Sequence, residues 1–145
     1  MILDLAKLSA PPDWDGSPWI VYDWNCPFCS NYASYAKLRT RLARLTLVSA
    51  REHATLGEWL LRQGADLDEG MVVLVEGALY HGADAMTFLA DHISPKSKPG
   101  QLLNSFFRNK RWSAAVYPYL RGSRNLVLRT LGRAKLMPNH ARRRN

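Results

Sequence analysis

The chain has very little cysteine. Only two of its 145 residues are cysteines, and they stand three positions apart, at Cys26 and Cys29. Two cysteines this close cannot staple distant parts of a fold. A structural disulfide stabilises most by closing a long loop, and this one would close almost none. Acidic residues are absent from the C-terminal third: Asp91 is the last of them. Long hydrophobic runs are also missing. The longest stretch of large apolar residues is Met71-Val72-Val73-Leu74-Val75, whereas a membrane-spanning helix needs about 20 apolar residues. The first residues, Met1 to Leu5, carry Asp4 where a secretory signal would carry basic charge. These absences lead to the expectation of an intracellular, cytoplasmic protein, where a permanent disulfide is disfavoured.

What is present describes a globular domain. Hydrophobic residues make up 47% of the chain, with five Trp and six Tyr, and 145 residues suffice for one domain with a real core. The formal net charge is +8, but it is unevenly spread. Residues 1–91 hold 7 basic and 12 acidic side chains, while residues 92–145 hold 13 basic and no acidic ones. Such asymmetry points to an acidic partner, with a solvated basic face as the plainer alternative.

Residues 1–17, with Pro11-Pro12 and Gly16, read as an irregular lead-in. Residues 18–93 read as the core. Trp19 to Tyr22 is a buried strand. Phe28, Tyr32, Tyr35, Leu38, Leu42 and Leu45 recur at helical spacing, so the pattern predicts a helix of about four to five turns with Pro27 in its first turn. Leu45 to Val48 follows as a strand, then a helix through Trp59 to Leu61. Met71 to Val75 and Ala78 to Tyr80 form a hairpin about Glu76-Gly77. Asp84 is read as the cap of a helix bearing Met86, Leu89 and Ile93. Residues 94–100 look like a loop, and residues 101–136 like a basic helical segment of the same domain. Pro118 is expected to break or kink that segment, and Ser123 to cap its second part. Residues 137–145 read as a disordered tail. The resulting fold class is α/β, a thioredoxin-like β-α-β-α-β-β-α core with additional basic C-terminal helices.

The strand, the cysteine pair and the helix together define a chemistry. Thiolate attacks disulfides, and a helix N-terminus favours the anion through unpaired N–H groups and a partial positive charge. Cys26, just before Pro27, is expected at that terminus as the more exposed thiol and the nucleophile. Cys29, in the first turn, is expected to resolve the mixed disulfide. Asp23 has two compatible roles: proton transfer to or from Cys29, or an Asx cap of the turn. A structural zinc site needs about four ligands. One cysteine pair exists, and His53, His81, His92 and His140 provide no matching ligand pair, so no metal is assigned. Two thiolates holding a soft metal ion, or two inert buried cysteines, remain as alternatives.

The segment Val21-Tyr22-Asp23-Trp24-Asn25-Cys26-Pro27-Phe28-Cys29 resembles the signature of the DCC family of thiol–disulfide oxidoreductases, whose Asp, Cys and Cys fall here on Asp23, Cys26 and Cys29. Val72 to Ala85 is similar to the family's middle section, and Tyr117 to Gly132, with Tyr117 and Arg124, to its C-terminal segment. The resemblance implies a thioredoxin-like fold and protein-disulfide reductase activity carried by the dithiol, with no bound cofactor. It departs at Trp24, where the family usually has glycine. Trp24 is expected to shield the dithiol or to offer a substrate a flat contact, with Asn25, Pro27 and Phe28 as its neighbours in substrate binding. Thioredoxins and glutaredoxins place a cis-proline before the third strand; the corresponding stretch here, Asp68-Glu69-Gly70-Met71, has none.

The expected partners are a protein or small-molecule disulfide and an acidic partner for the basic C-terminal surface. Trp112, Tyr117 and Tyr119 interleave there with Arg108, Lys110, Arg111, Arg121 and Arg124. The alternative function is a non-catalytic binding module whose basic helices contact nucleic acid, an anionic membrane or an acidic protein.

Overall fold

The computed structural model describes residues 1–132; the tail expected from residue 137 lies outside them. Among the described residues, five strands form one mixed sheet: β1 (Ile2–Asp4), β2 (Trp19–Tyr22), β3 (Thr46–Ser49), β4 (Val72–Val75) and β5 (Ala78–His81), in the order β1-β5-β4-β2-β3. Only β2 and β3 run parallel; the other pairings are antiparallel. A parallel pair needs a crossover. Here that crossover is α1 (Pro27–Arg39), the helix that carries the cysteines.

Four further helices follow: α2 (Ala54–Arg62), α3 (Ala83–His92), α4 (Lys98–Arg108) and α5 (Lys110–Thr130). Side chains alternate across a strand, and this alternation divides the core. Trp19 and Val21 of β2, with Val72 and Leu74 of β4, pack with Leu56, Trp59 and Leu60 of α2. Ile20, Tyr22 and Val73 face the other way, onto Ala33 and Ala36 of α1, Met86 and Leu89 of α3, and Phe107 of α4. With both faces covered, all four residues of β2 are buried, which is why it reads as an unbroken apolar run.

Several sequence expectations need correction. Residues 1–17 are not wholly irregular: Ile2 to Asp4 extend the sheet by pairing with β5. The helix expected to reach Leu45 stops at Arg39, because Thr40 leaves the helix to bridge Ile93. Its buried face is the small-residue one, Ala33 and Ala36, while Phe28 and Leu38 are exposed. The loop over 94–100 is shorter than expected. Ser97 caps α4, its Oγ accepting from the Gly100 amide at 3.2 Å. The cap of α3 is Gly82. Asp84 lies within the first turn and pairs instead with the Met1 ammonium and Lys110. Pro118 does not interrupt α5, and Ser123 is no cap: its hydroxyl donates back to the Tyr119 carbonyl at 2.7 Å.

β5 ends on a buried histidine. His81 Nε2 lies 2.9 Å from the Asp66 carbonyl. Burial pushes its pKa below the ordinary value and outweighs the opposing hydrogen bond to Asp66. An unfolded histidine titrates near pH 6.5, so the unfolded chain takes up this proton first as pH falls. Stability from this group is complete above about pH 6.5 and declines below it, toward the folded value. We expect the melting temperature to fall between about pH 7.5 and about pH 5.5, and to fall less in His81→Gln. Equal slopes in the two proteins would refute the assignment.

Candidate active site

The site starts where β2 ends. Tyr22 closes the strand, and the chain turns through Asp23, Trp24 and Asn25 before α1 begins. The turn is held by Asp23, whose side chain is buried. Its Oδ1 accepts from the Asn25 amide at 2.9 Å, forming an Asx turn. The same carboxylate is gripped by Arg51, with Nε donating to Oδ1 at 2.7 Å and Nη2 to Oδ2 at 3.3 Å. The Asp23 carbonyl accepts from the Cys26 amide at 3.0 Å. Asp23 thus fixes the backbone on which the first cysteine sits. Arg51 follows β3 and carries no motif; only the parallel pairing of β2 and β3 brings it here.

Cys26 is the N-cap of α1, and Pro27 follows in the first turn, where its missing N–H costs nothing. The Cys29 amide donates to Cys26 Sγ at 3.3 Å. A sulfur acceptor at a helix N-terminus is the arrangement that stabilises a thiolate. Exposure, however, is the reverse of the sequence expectation. Cys26 is 0% exposed, whereas Cys29 is partly exposed. The cap geometry turns the first sulfur inward over the helix end, and Cys29, one turn on, is partly buried against the core.

Cys29 opens onto a cavity of about 200 Å³. Phe28, Tyr32, Met71, Met86, Phe107 and Leu120 supply its apolar wall. Burial, with some help from Tyr35, pushes the Tyr32 phenol well above its ordinary pKa, so this wall is neutral. Glu69 and Arg121 also border the cavity and pair with each other at 3.2 Å. On the outer side Trp24 is 62% exposed and Phe28 56%. Trp24 is thus largely open to solvent, with Asn25 and Pro27 half-buried between it and Phe28.

Residues from the basic C-terminal segment complete this wall, and sequence reasoning did not place them there. Tyr117 Oη donates to the Glu69 carbonyl at 2.7 Å. Ser113 Oγ, fully buried, donates to the Ala83 carbonyl at 3.2 Å. Lys110 pairs with Asp84 at 3.1 Å. These contacts lay α5 across the start of α3 and the stretch before β4. A small-residue signal was available: Gly70 and Gly82 both abut the Tyr117 ring. Trp112 and Tyr119 remain exposed. Among the described residues, no group of three or more His, Cys, Asp and Glu side chains converges as a metal site, and no helix is long and apolar enough to cross a membrane.

A β-α-β unit followed by a β-hairpin and helix, with a CxxC pair opening the first helix, defines a thioredoxin-like α/β protein. The model of the DCC1-like thiol-disulfide oxidoreductase family matches residues 20–130, and the chain belongs to that family. No curated protein and no solved structure gives a match.

Proposed function

We propose that the protein is a thiol–disulfide oxidoreductase of the protein-disulfide reductase type, with Cys26 and Cys29 as its redox centre. The observation that carries this reading is the hydrogen bond from the Cys29 amide to Cys26 Sγ at the start of α1. It couples the two cysteines and supports a thiolate in a helix-terminal position. The family match adds to it. In this reading the dithiol itself carries the two electrons, without a bound cofactor, and a protein or small-molecule disulfide is the substrate. Asp23 serves as a positioning residue: its oxygens already accept from Asn25 and Arg51 and hold the turn.

The test is equilibration in defined glutathione or dithiothreitol buffers, with thiols counted at each poise. A reversible two-electron transition between about −120 and −270 mV is expected, the range of working thiol–disulfide catalysts. Failure to form an intramolecular disulfide at any poise would remove the reading. The binding-module alternative would then lead, favoured by exposed Leu102, Trp112, Tyr119 and Leu126 among the basic residues of α4 and α5.

A further inference from the structure

We propose that the outer face of α5, continued by α4, docks onto an anionic lipid surface. The inference concerns a part of the molecule remote in role from the dithiol and does not depend on the redox reading.

Helix α5 has two apolar faces. Ser113, Tyr117 and Leu128 fall on the side toward the domain, where Ser113 and Leu128 are buried and Tyr117 is half-buried. Trp112, Ala115, Tyr119, Gly122 and Leu126 recur at intervals of three and four residues on the opposite side. There Trp112 is 58% exposed, Tyr119 79% and Leu126 63%. A Cβ added at Gly122 would meet nothing within 4 Å, so the middle of this stripe is uncovered. The stripe continues onto α4. The Trp112 ring lies 6.0 Å from that of Phe106, and Leu102 and Leu103, one turn before Phe106, are exposed. An amphipathic protein helix needs only its inward face for packing, so the outer stripe has no use in the fold.

Charge identifies the occupant. Residues 92–145 contain no acidic side chain. Arg108, Lys110 and Arg121 are paired with Asp91, Asp84 and Glu69 from elsewhere in the chain. Lys96, Lys98, Arg111 and Arg129 are exposed and enter no ion pair among the described residues. Arg111 and Arg129, about five turns apart, follow one edge of the stripe. A second copy of the chain would set these cations against their own likeness. Nucleic acid would satisfy the charges and could stack on Trp112 and Tyr119, but Leu102, Leu103 and Leu126 offer no ring for a base. An anionic bilayer satisfies every group. Leucines enter the acyl boundary, Trp and Tyr sit at headgroup level, and Lys and Arg reach the lipid phosphates.

The full chain is tested by co-sedimentation with vesicles of phosphatidylcholine alone, and of phosphatidylcholine with about 30% phosphatidylglycerol. Binding to the anionic vesicles is expected to be at least about tenfold tighter, and to weaken by about tenfold or more between about 0.05 and about 0.5 M salt. Tyr119→Ser/Leu126→Ser and Arg111→Gln/Arg129→Gln change only exposed side chains, so the melting temperature should hold. Each pair is expected to weaken anionic-vesicle binding by about tenfold. Gly122→Leu adds an apolar group where there is space for it, and is expected to tighten binding by about threefold or more. Equal binding to the two vesicle types, or to neither, overturns the proposal. So does an unchanged Tyr119→Ser/Leu126→Ser variant, which would assign the attraction to basic charge alone. Two further results would give the stripe to another occupant and equally overturn it: tighter binding to oligothymidylate than to anionic vesicles, or a dimer in sedimentation that the same variant dissociates.

Discussion

Replacing Arg51 by alanine is expected to destabilise the fold by about 3 kcal/mol, the lower part of the ~3–5 kcal/mol seen when a buried ion pair loses one partner. Asp23 has a fully buried side chain, while that of Arg51 keeps 27% of its exposure, so the pair is screened on one side only. Removing the guanidinium takes both Arg51 contacts from a buried carboxylate three residues before Cys26. Two consequences follow. The Asx turn that positions Cys26 loosens, because its carboxylate has lost its anchor to the end of β3. The carboxylate's negative charge, no longer paired with Arg51, also opposes thiolate formation nearby. Denaturant unfolding should show the loss of stability, and thiol alkylation below neutral pH should be slower than in the parent. Arg51→Lys should recover only part of either effect, because a single ammonium cannot reproduce the two-point contact of Nε and Nη2. An Arg51→Ala protein as stable as the parent would show that the pair contributes nothing.

The second large effect is expected at Gly70. A Cβ there would lie 1.7 Å from Tyr117 Oη and 3.0 Å from the Gly82 Cα. The first distance is far inside van der Waals contact, so Gly70→Ala must drive the Tyr117 side chain away. That movement breaks its hydrogen bond to the Glu69 carbonyl and displaces the helix that walls the cavity. Overpacking of this kind costs about 1–3 kcal/mol. The cause can be isolated with a double-mutant cycle. Tyr117→Phe removes the atom at 1.7 Å, so Gly70→Ala should cost distinctly less in that background. Additive effects of the two substitutions on the denaturation midpoint would contradict this account.

Both predictions concern residues that carry no motif, and this marks the limit of what was legible in the chain. The strands at Trp19–Tyr22 and Val72–Val75 could be read because burial on both faces demands unbroken β-favouring apolar runs. The dithiol could be read because the CxxC spacing and Pro27 are local features that one helix turn satisfies. The extent of α1 could not. Of its aromatic and leucine periodicity, Tyr32, Tyr35, Leu42 and Leu45 do pack inward beside Ala33 and Ala36, but Phe28 and Leu38 are exposed, and a bridge from Thr40 to Ile93 ends the helix. Pro118 misled for a related reason. A missing N–H on one turn is tolerable in a helix fastened elsewhere by Ser113, Lys110 and Tyr117.

The sequence by itself determined the chemistry: two thiols one helix turn apart, an acid before them, a thioredoxin-like order of elements and a C-terminal third without acids. Tertiary structure alone decided that Cys26 is fully buried and that Cys29 lines a cavity. It also decided that Arg51 neutralises Asp23, and that α5 closes a cavity over Cys29. The physical reason is range. Helix caps and strand alternation act within a few residues, and the chain displays them directly. The Arg51–Asp23 pair joins residues 28 apart and the Tyr117–Glu69 bond residues 48 apart, and no local pattern encodes those contacts.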